Sequence, residues 1–181
     1  RAQALRTMVS DLLNLTAIET GKFTIKRSPL DICEVVRAAV DAAREHAEQK
    51  RTEVDLELPD GEGNTRTLAD RDSLFIVFCN LVDNAIKYTP EQGHVRVRVA
   101  GNGLRVKVTV QDDGIGMTEE EQRHVFDEFY RAKNGYTVNV PGTGLGLSLV
   151  KRLIDTHDGS ICVQSNPGEG SQFSVSLPIT E

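Results

Sequence analysis

The chain has 181 residues, enough for one full domain with its own core and a short appendage. Its hydrophobic share of 39% and charged share of 27% are ordinary for a soluble globular protein, and a net charge of −6 argues against a nucleic-acid binder, which presents a basic face. Cys33, Cys79 and Cys162 lie far apart with no CxxC and no nearby histidine set, which argues against disulfide or zinc chemistry; no apolar run reaches the length of a membrane span and no signal peptide is visible.

Residues 2–20 place Leu5, Met8, Val9, Leu12, Leu13, Leu15 and Ile18 on a wide apolar stripe, which predicts a helix stopped at Thr20-Gly21. Such a helix either packs on its own domain or forms part of a bundle whose other helices lie elsewhere. Lys22–Leu30 reads as a strand closed by Ser28-Pro29. Asp31 with Glu34 reads as a capping box opening a helix that buries Ile32, Val35, Val36, Ala39, Val40 and Ala43 and ends near Lys50. Glu53–Leu58 alternates as a strand, residues 59–64 form a turn, and a short strand covers Arg66–Ala69. Asp70 or Asp72 then caps a helix from Ser73 to Lys87, with Phe75, Phe78, Leu81, Val82 and Ile86 as its core face.

His94–Ala100 and Leu104–Gln111 alternate around Gly101-Asn102-Gly103, a hairpin signal. Thr118 with Glu121 is a second capping box, opening a helix to about Phe126. Residues 132–141 show no period and read as a mobile loop. A last helix runs from Gly144 to His157, and Ser160–Ser165 and Gln172–Pro178 are strands joined by a turn. Helices and hairpin strands alternate without a regular strand–helix–strand period. That pattern predicts an α+β fold in two layers, a mixed and mostly antiparallel sheet with helices on one face.

Four segments carry chemistry-bearing residues. Asn80, Asn84 and Lys87 lie at spacings of four and three, so a helix projects them from one face. Two amide oxygens can help hold a hard cation, the ammonium of Lys87 can meet a phosphate, and Tyr88 can cover a ribose or base edge. A merely polar helix face is the alternative, although asparagine is a poor mid-helix residue. Asp112, straight off a strand, could accept from an exocyclic amine, with Gly114 and Gly116 admitting a ligand close to the backbone. An ordinary Asp-Gly turn is the alternative there. Gly142-Thr143-Gly144-Leu145-Gly146-Leu147 opens a helix directly, and its amides suit a triphosphate. It is neither a P-loop, since no Lys-Ser/Thr follows, nor a dinucleotide fingerprint.

NLVDNAIKYTP (80–90), DDGIGM (112–117), FDEFYR (126–131) and GTGLGLSLV (142–150) resemble, in order and spacing, the N box, first glycine box, F box and second glycine box of the GHKL ATP-binding fold. Gly168–Phe173 resembles that fold's last glycine-containing turn. FDEFYR and GTGLGL are most similar to bacterial sensor histidine kinases, and SDLLNLTAIETGKF resembles the end of the second helix of their dimerisation and phosphoacceptor domain. The resemblance implies a partial dimerisation helix over 1–21 and a catalytic ATP-binding domain over 22–181. It implies Mg2+ held by Asn84 with Asn80 assisting, and phosphate contacts from Lys87 and Arg131. Tyr88 would lie beside ribose and base, Asp112 would read adenine with Gly114 and Gly116 supporting it, and the second glycine box (Gly142, Thr143, Gly144, Leu145, Gly146, Leu147) would bind nucleotide. Residues 132–141 would be the ATP lid, coupled to the core by Phe126 and Phe129.

Asn80 separates the branches of the superfamily. Hydrolytic members resembling gyrase carry a glutamate there to activate water, and an amide cannot be a general base. The resemblance therefore implies a protein-histidine kinase that keeps its γ-phosphate for a protein nucleophile. His46, His94, His124 and His157 all lack the family's His-Glu/Asp acceptor setting, so the acceptor is expected upstream of Arg1. Expected partners are ATP, the upstream phosphoacceptor domain, a response regulator and a second copy of the parent, with no nucleic acid. The domain would be cytoplasmic, its parent either soluble or anchored in a bacterial inner membrane. A degenerate, binding-only scaffold and a GHKL ATPase are the other readings.

Overall fold

The computed structural model of the chain describes residues 2–59, 65–132, 137, 140 and 142–179, with side chains from Val9 onward. Residues 60–64 of the turn expected over 59–64, most of the loop expected over 132–141, and the side chains of Leu5 and Met8 lie outside the described residues. In chain order the elements are α1 (Ala2–Glu19), β1 (Ser28–Asp31), α2 (Ile32–Lys50), β2 (Glu53–Glu57), β3 (Arg66–Ala69), α3 (Arg71–Tyr88), β4 (His94–Gly101), β5 (Arg105–Asp112), α4 (Glu119–His124), α5 (Gly146–Asp155), β6 (Ser160–Asn166) and β7 (Gly170–Pro178).

Five strands form the main sheet in the order β2-β4-β5-β7-β6; β2 runs parallel to β4 and the remaining pairs are antiparallel. The β4–β5 hairpin pairs Val97 with Val110 and Val99 with Val108, so the period of two sends six valines to one face. There they meet the apolar faces of α2, α3 and α5 in a continuous core. Burying side chains of this size contributes about 1.5–3 kcal/mol each. This is the predicted two-layer arrangement. On the open face, bases of β4 meet acids of β2: His94 Nε2 lies 2.8 Å from Asp55 and Arg96 Nε 3.2 Å from Glu57. Exposed pairs of this kind contribute under about 1 kcal/mol, yet they match the parallel edge strand to its register.

A small second sheet pairs β1 with β3 antiparallel. The strand expected over 22–30 is confined to Ser28–Asp31, because the preceding segment spends its polar groups elsewhere. The Lys26 amide donates to Asp70 at 2.8 Å, and the Arg27 guanidinium reaches Asp158 and the Thr156 carbonyl. Asp31 caps α2 as expected, accepting from the Cys33 amide and the Thr65 hydroxyl. Glu34 does not complete the box; its carboxylate faces Arg71 at 3.8 Å. Asp70 rather than Asp72 caps α3, through the Ser73 amide, and the box between Thr118 and Glu121 is present at α4.

Two expectations about faces and one about helix length need correction. Phe75 is 37% exposed, and Leu74 and Val77 fill the core side of α3 in its place. The apolar stripe of α1 is split: Leu15 is buried and Ile18 packs on the core, while Val9, Leu12 and Leu13 face outward. The helices α4 and α5 are shorter than expected, ending at His124 and spanning Gly146–Asp155. His157, just past α5, is buried. Its Nδ1 lies 2.7 Å from the Leu153 carbonyl, and its Nε2 accepts from the Asp70 amide at 3.1 Å.

Candidate functional site

Helix α3 presents Asn80, Asn84 and Lys87 to a cavity of about 1200 Å³, bounded on other sides by the loop after β5 and by the residues leading into α5. The amide nitrogen of Asn80 donates to the Ile76 carbonyl at 2.9 Å, which turns its oxygen away from the helix axis. That oxygen faces the opening of α5: a Cβ placed on Gly146 would lie 2.5 Å from it. Asn84, one turn further along, lines the cavity and makes no hydrogen bond to another described residue. Its carboxamide is therefore available to a ligand.

Lys87 and Arg131 converge on Gly142. A Cβ there would lie 2.8 Å from Lys87 Nζ and 3.8 Å from Arg131 Nε. Desolvation first, and the nearby Arg131 charge second, hold the Lys87 ammonium below its usual range. Arg131 in turn donates to the carbonyls of Thr137 and Val140. Two cations held together in a low-dielectric cleft repel each other until an anion enters, the electrostatic signature of a phosphate site. Tyr88 is half-buried at the wall, with Lys87 Nζ 5.4 Å from its ring centroid; burial pushes its phenol up.

Asp112 ends β5 and is 7% exposed. Desolvation pushes its carboxyl up to about 6, despite hydrogen bonds from Gly114 and Ser171 that favour the charged form. Both bonds, at 2.9 and 3.2 Å, fall on Oδ1. The second oxygen is left for a donor in the cavity. Gly114 does not line the cavity; it lets the loop pass the Tyr88 carbonyl, 2.5 Å from where a Cβ would sit. Gly116, at φ +65°, runs against the turn between β6 and β7, where a Cβ would lie 1.8 Å from the Asn166 carbonyl oxygen.

The approach to α5 divides its residues. Thr143 accepts from the Leu145 amide, shaping the turn, while Gly144, at φ +75°, crosses the Phe129 backbone. Helix α5 begins without a side-chain cap, so its first amides and its dipole face the cavity, which Gly146 and Leu147 line. Leu145 belongs elsewhere: its side chain is 0% exposed in the core and makes no wall. Of the two aromatic anchors, Phe126 packs edge-on to Phe173 with centroids 6.2 Å apart. Phe129 is 57% exposed, so its side chain anchors nothing; its backbone amide does, donating to the Gly144 carbonyl at 3.0 Å.

Asp11, His46, Lys50 and Asp83 are among the cavity residues that sequence did not single out. Lys50 donates to the Ile86 and Lys87 carbonyls at 2.8 and 2.5 Å, capping α3 from the end of α2. His46, one turn earlier, lies 3.5 Å from Asp83. Asp11 reaches the cavity from α1. The spacing of four between His46 and Lys50, and an acid on the face of α1 that carries Leu15, were the available signals.

These groups suit an adenine nucleotide with a hard cation. The cavity wall carries an acceptor for an exocyclic amine, cations and uncapped helix amides for phosphates, and two carboxamides. Among the described residues no group of three His, Cys, Asp or Glu is placed to hold a metal ion by itself. The protein would thus share a cation with phosphates and water, as Mg2+ prefers.

Residues 69–181 match the family described as histidine kinase-, DNA gyrase B-, and HSP90-like ATPase. The chain belongs to that family. Within this ATPase family its relatives are sensor histidine kinases. The sensor-like histidine kinase SenX3 of Mycobacterium tuberculosis is 33% identical over 98% of the chain and 42% of SenX3. Full-length ShkA in complex with AMPPNP superposes with a TM-score of 0.82 at 26% identity, over 98% of this chain and 36% of that one. Histidine kinase ThkA in complex with the response regulator TrrA gives 0.77 at 26% identity, over 99% and 48%. The chain spans between 21% and 44% of the length of the curated relatives it matches. Among the described residues no helix is long and apolar enough to cross a membrane.

Proposed function

We propose that this chain is the catalytic half of a two-component sensor kinase, moving the γ-phosphate of Mg-ATP to a histidine carried upstream of Arg1. Residues 22–181 form the ATP-binding domain and residues 1–21 the end of a dimerisation helix. The observation that carries the reading is Asn80: a carboxamide, its nitrogen tied into the helix, faces the start of α5. It cannot take a proton from water.

Asp112 holds adenine through its second carboxylate oxygen. Lys87, Arg131 and the first amides of α5 spread and neutralise the phosphate charge, and Tyr88 flanks the sugar. Asn84, with Asn80, holds Mg2+, which when bound neutralises charge on the transferring phosphoryl group. Phosphoryl transfer needs little covalent help from the protein, so positioning and charge stabilisation account for the catalysis. The acceptor imidazole brings its own lone pair. Partners are the upstream phosphoacceptor segment, a response regulator, as in the ThkA complex, and a second copy of the parent. The domain works in the cytoplasm.

The test is incubation of the chain with γ-labelled ATP and a purified segment bearing the upstream histidine helix. The expected product is an acid-labile phosphohistidine on that segment and none on the chain itself. Tight nucleotide binding without transfer would support a binding-only scaffold instead. Steady phosphate release by the chain alone would make it an ATPase and remove the argument from Asn80.

A further inference from the structure

We infer that Asp11, carried on α1 outside the ATP-binding fold, is a further cation-facing group of the nucleotide site. It accepts hydrogen bonds from waters retained by the nucleotide's divalent cation and so ties α1 to the occupied cavity. This rests on the nucleotide reading given above.

Asp11 is 8% exposed, lines the cavity, and has no hydrogen bond or ion pair with another described residue. Burial holds its carboxyl above the usual range. A buried, unpaired carboxylate is unfavourable, and a nearby cation relieves it. Among the described residues, none of the cavity's cations pairs with Asp11. Lys50 caps the end of α3, Arg131 serves the Thr137 and Val140 carbonyls, and Lys87 sits beside Gly142.

The position of Asp11 follows from the packing of α1 on α5. Glu19, at the end of α1, meets Arg152 at 3.2 Å. Eight residues back along α1, about 12 Å at 1.5 Å per residue, lies Asp11. Six residues back along α5, about 9 Å, lies Gly146. Both residues line the cavity, so the helices run side by side and Asp11 stands at the opening of α5. There Gly146 abuts the Asn80 oxygen. No described amide of that turn donates to Asp11, so the carboxylate is not acting as a helix cap. An acid that shares a cavity suited to phosphates with two carboxamides can serve a cation that takes oxygen partners and keeps several waters. By linkage, whatever Asp11 adds to cation-loaded nucleotide binding, the loaded nucleotide adds to the docking of α1.

The experiment titrates AMPPNP calorimetrically into the chain and into Asp11→Asn, with Mg2+ and with EDTA, and follows amide hydrogen exchange across residues 9–19. The expected result is that Asp11→Asn weakens Mg-AMPPNP by about tenfold without weakening metal-free AMPPNP. Mg-AMPPNP should also slow exchange in α1 of the parent chain and leave the variant unchanged. Asp11→Ser, with an unchanged circular dichroism spectrum, should repeat the pattern. Equal affinities for Mg-AMPPNP in parent and variants would overturn the inference. Tighter binding by the variants in both conditions would also overturn it, leaving Asp11 a repulsive barrier. Failure of the parent chain to bind AMPPNP under either condition would instead remove the nucleotide reading itself, and this inference with it.

Discussion

Asp112→Asn should weaken nucleotide binding and strengthen the empty fold, and both effects follow from where the hydrogen bonds fall. The Gly114 and Ser171 amides both donate to Oδ1. In the variant the amide oxygen takes that place, and its NH2 group then faces the exocyclic amine of adenine, donor against donor. Losing a charge-assisted bond and stranding a buried donor together cost about 3–4 kcal/mol, or ~300-fold in Kd. The carboxyl of Asp112 sits at about 6 against an ordinary 3.8, so its ionised form strains the unliganded protein by about 3 kcal/mol at neutral pH. That strain is fully present above about pH 6 and absent below about 3.8. The variant should therefore melt several degrees higher at pH 7.5, at about 2–4 °C per kcal/mol, and lose its advantage toward pH 4. Calorimetric titration with ADP and thermal melts at the two pH values measure both. Unchanged ADP affinity, or a lower melting temperature at pH 7.5, would refute the placement of the second carboxylate oxygen against the ligand.

Two further outcomes follow from the geometry. Gly116→Ala forces a Cβ to 1.8 Å from the Asn166 oxygen at φ +65° and should lower stability by ~2–4 kcal/mol in urea titrations; Gly103→Ala, at φ +86° with nothing within 4 Å, should lose only about 1 kcal/mol. His157 is held neutral chiefly by burial, against the pull of the nearby Asp70 and Asp158 carboxylates, and its Nε2 accepts from the Asp70 amide. With its folded pKa below the ordinary 6.5, its stabilisation is complete above that value and lost as pH falls through the lower folded pKa; the melting temperature of the parent minus that of His157→Asn should shrink from pH 7 to pH 5, and a flat difference would count against the bonded tautomer.

Local signals were readable where one residue type serves one purpose. Asp70 and Thr118 cap helices because a short oxygen-bearing side chain reaches a free amide, and the β4–β5 hairpin follows from alternation around a glycine-flanked asparagine. The parallel pairing of β2 with β4 was not readable, since it joins residues some forty apart with β3 and α3 intervening in the chain. The site divides in the same way. Asn80, Asn84, Lys87 and Tyr88 share one helix face, so spacing alone groups them. Lys50 and Asp11 join them only through packing of α2 and α1. Leu145 and Phe129 misled for the opposite reason: each sits within a recognisable motif, but the local backbone turns one inward to the core and the other outward to solvent.

The loop after β5 and the turn before β7 cross each other where neither has a side chain to offer. A Cβ at Gly116 would strike the Asn166 carbonyl, and one at Gly170 would strike the carbonyl of Asp112, at 1.9 Å. Two main chains thus interlock, and the acid rides on the crossing. Among descendants of this sequence, the two crossing points are closed to every residue that carries a Cβ.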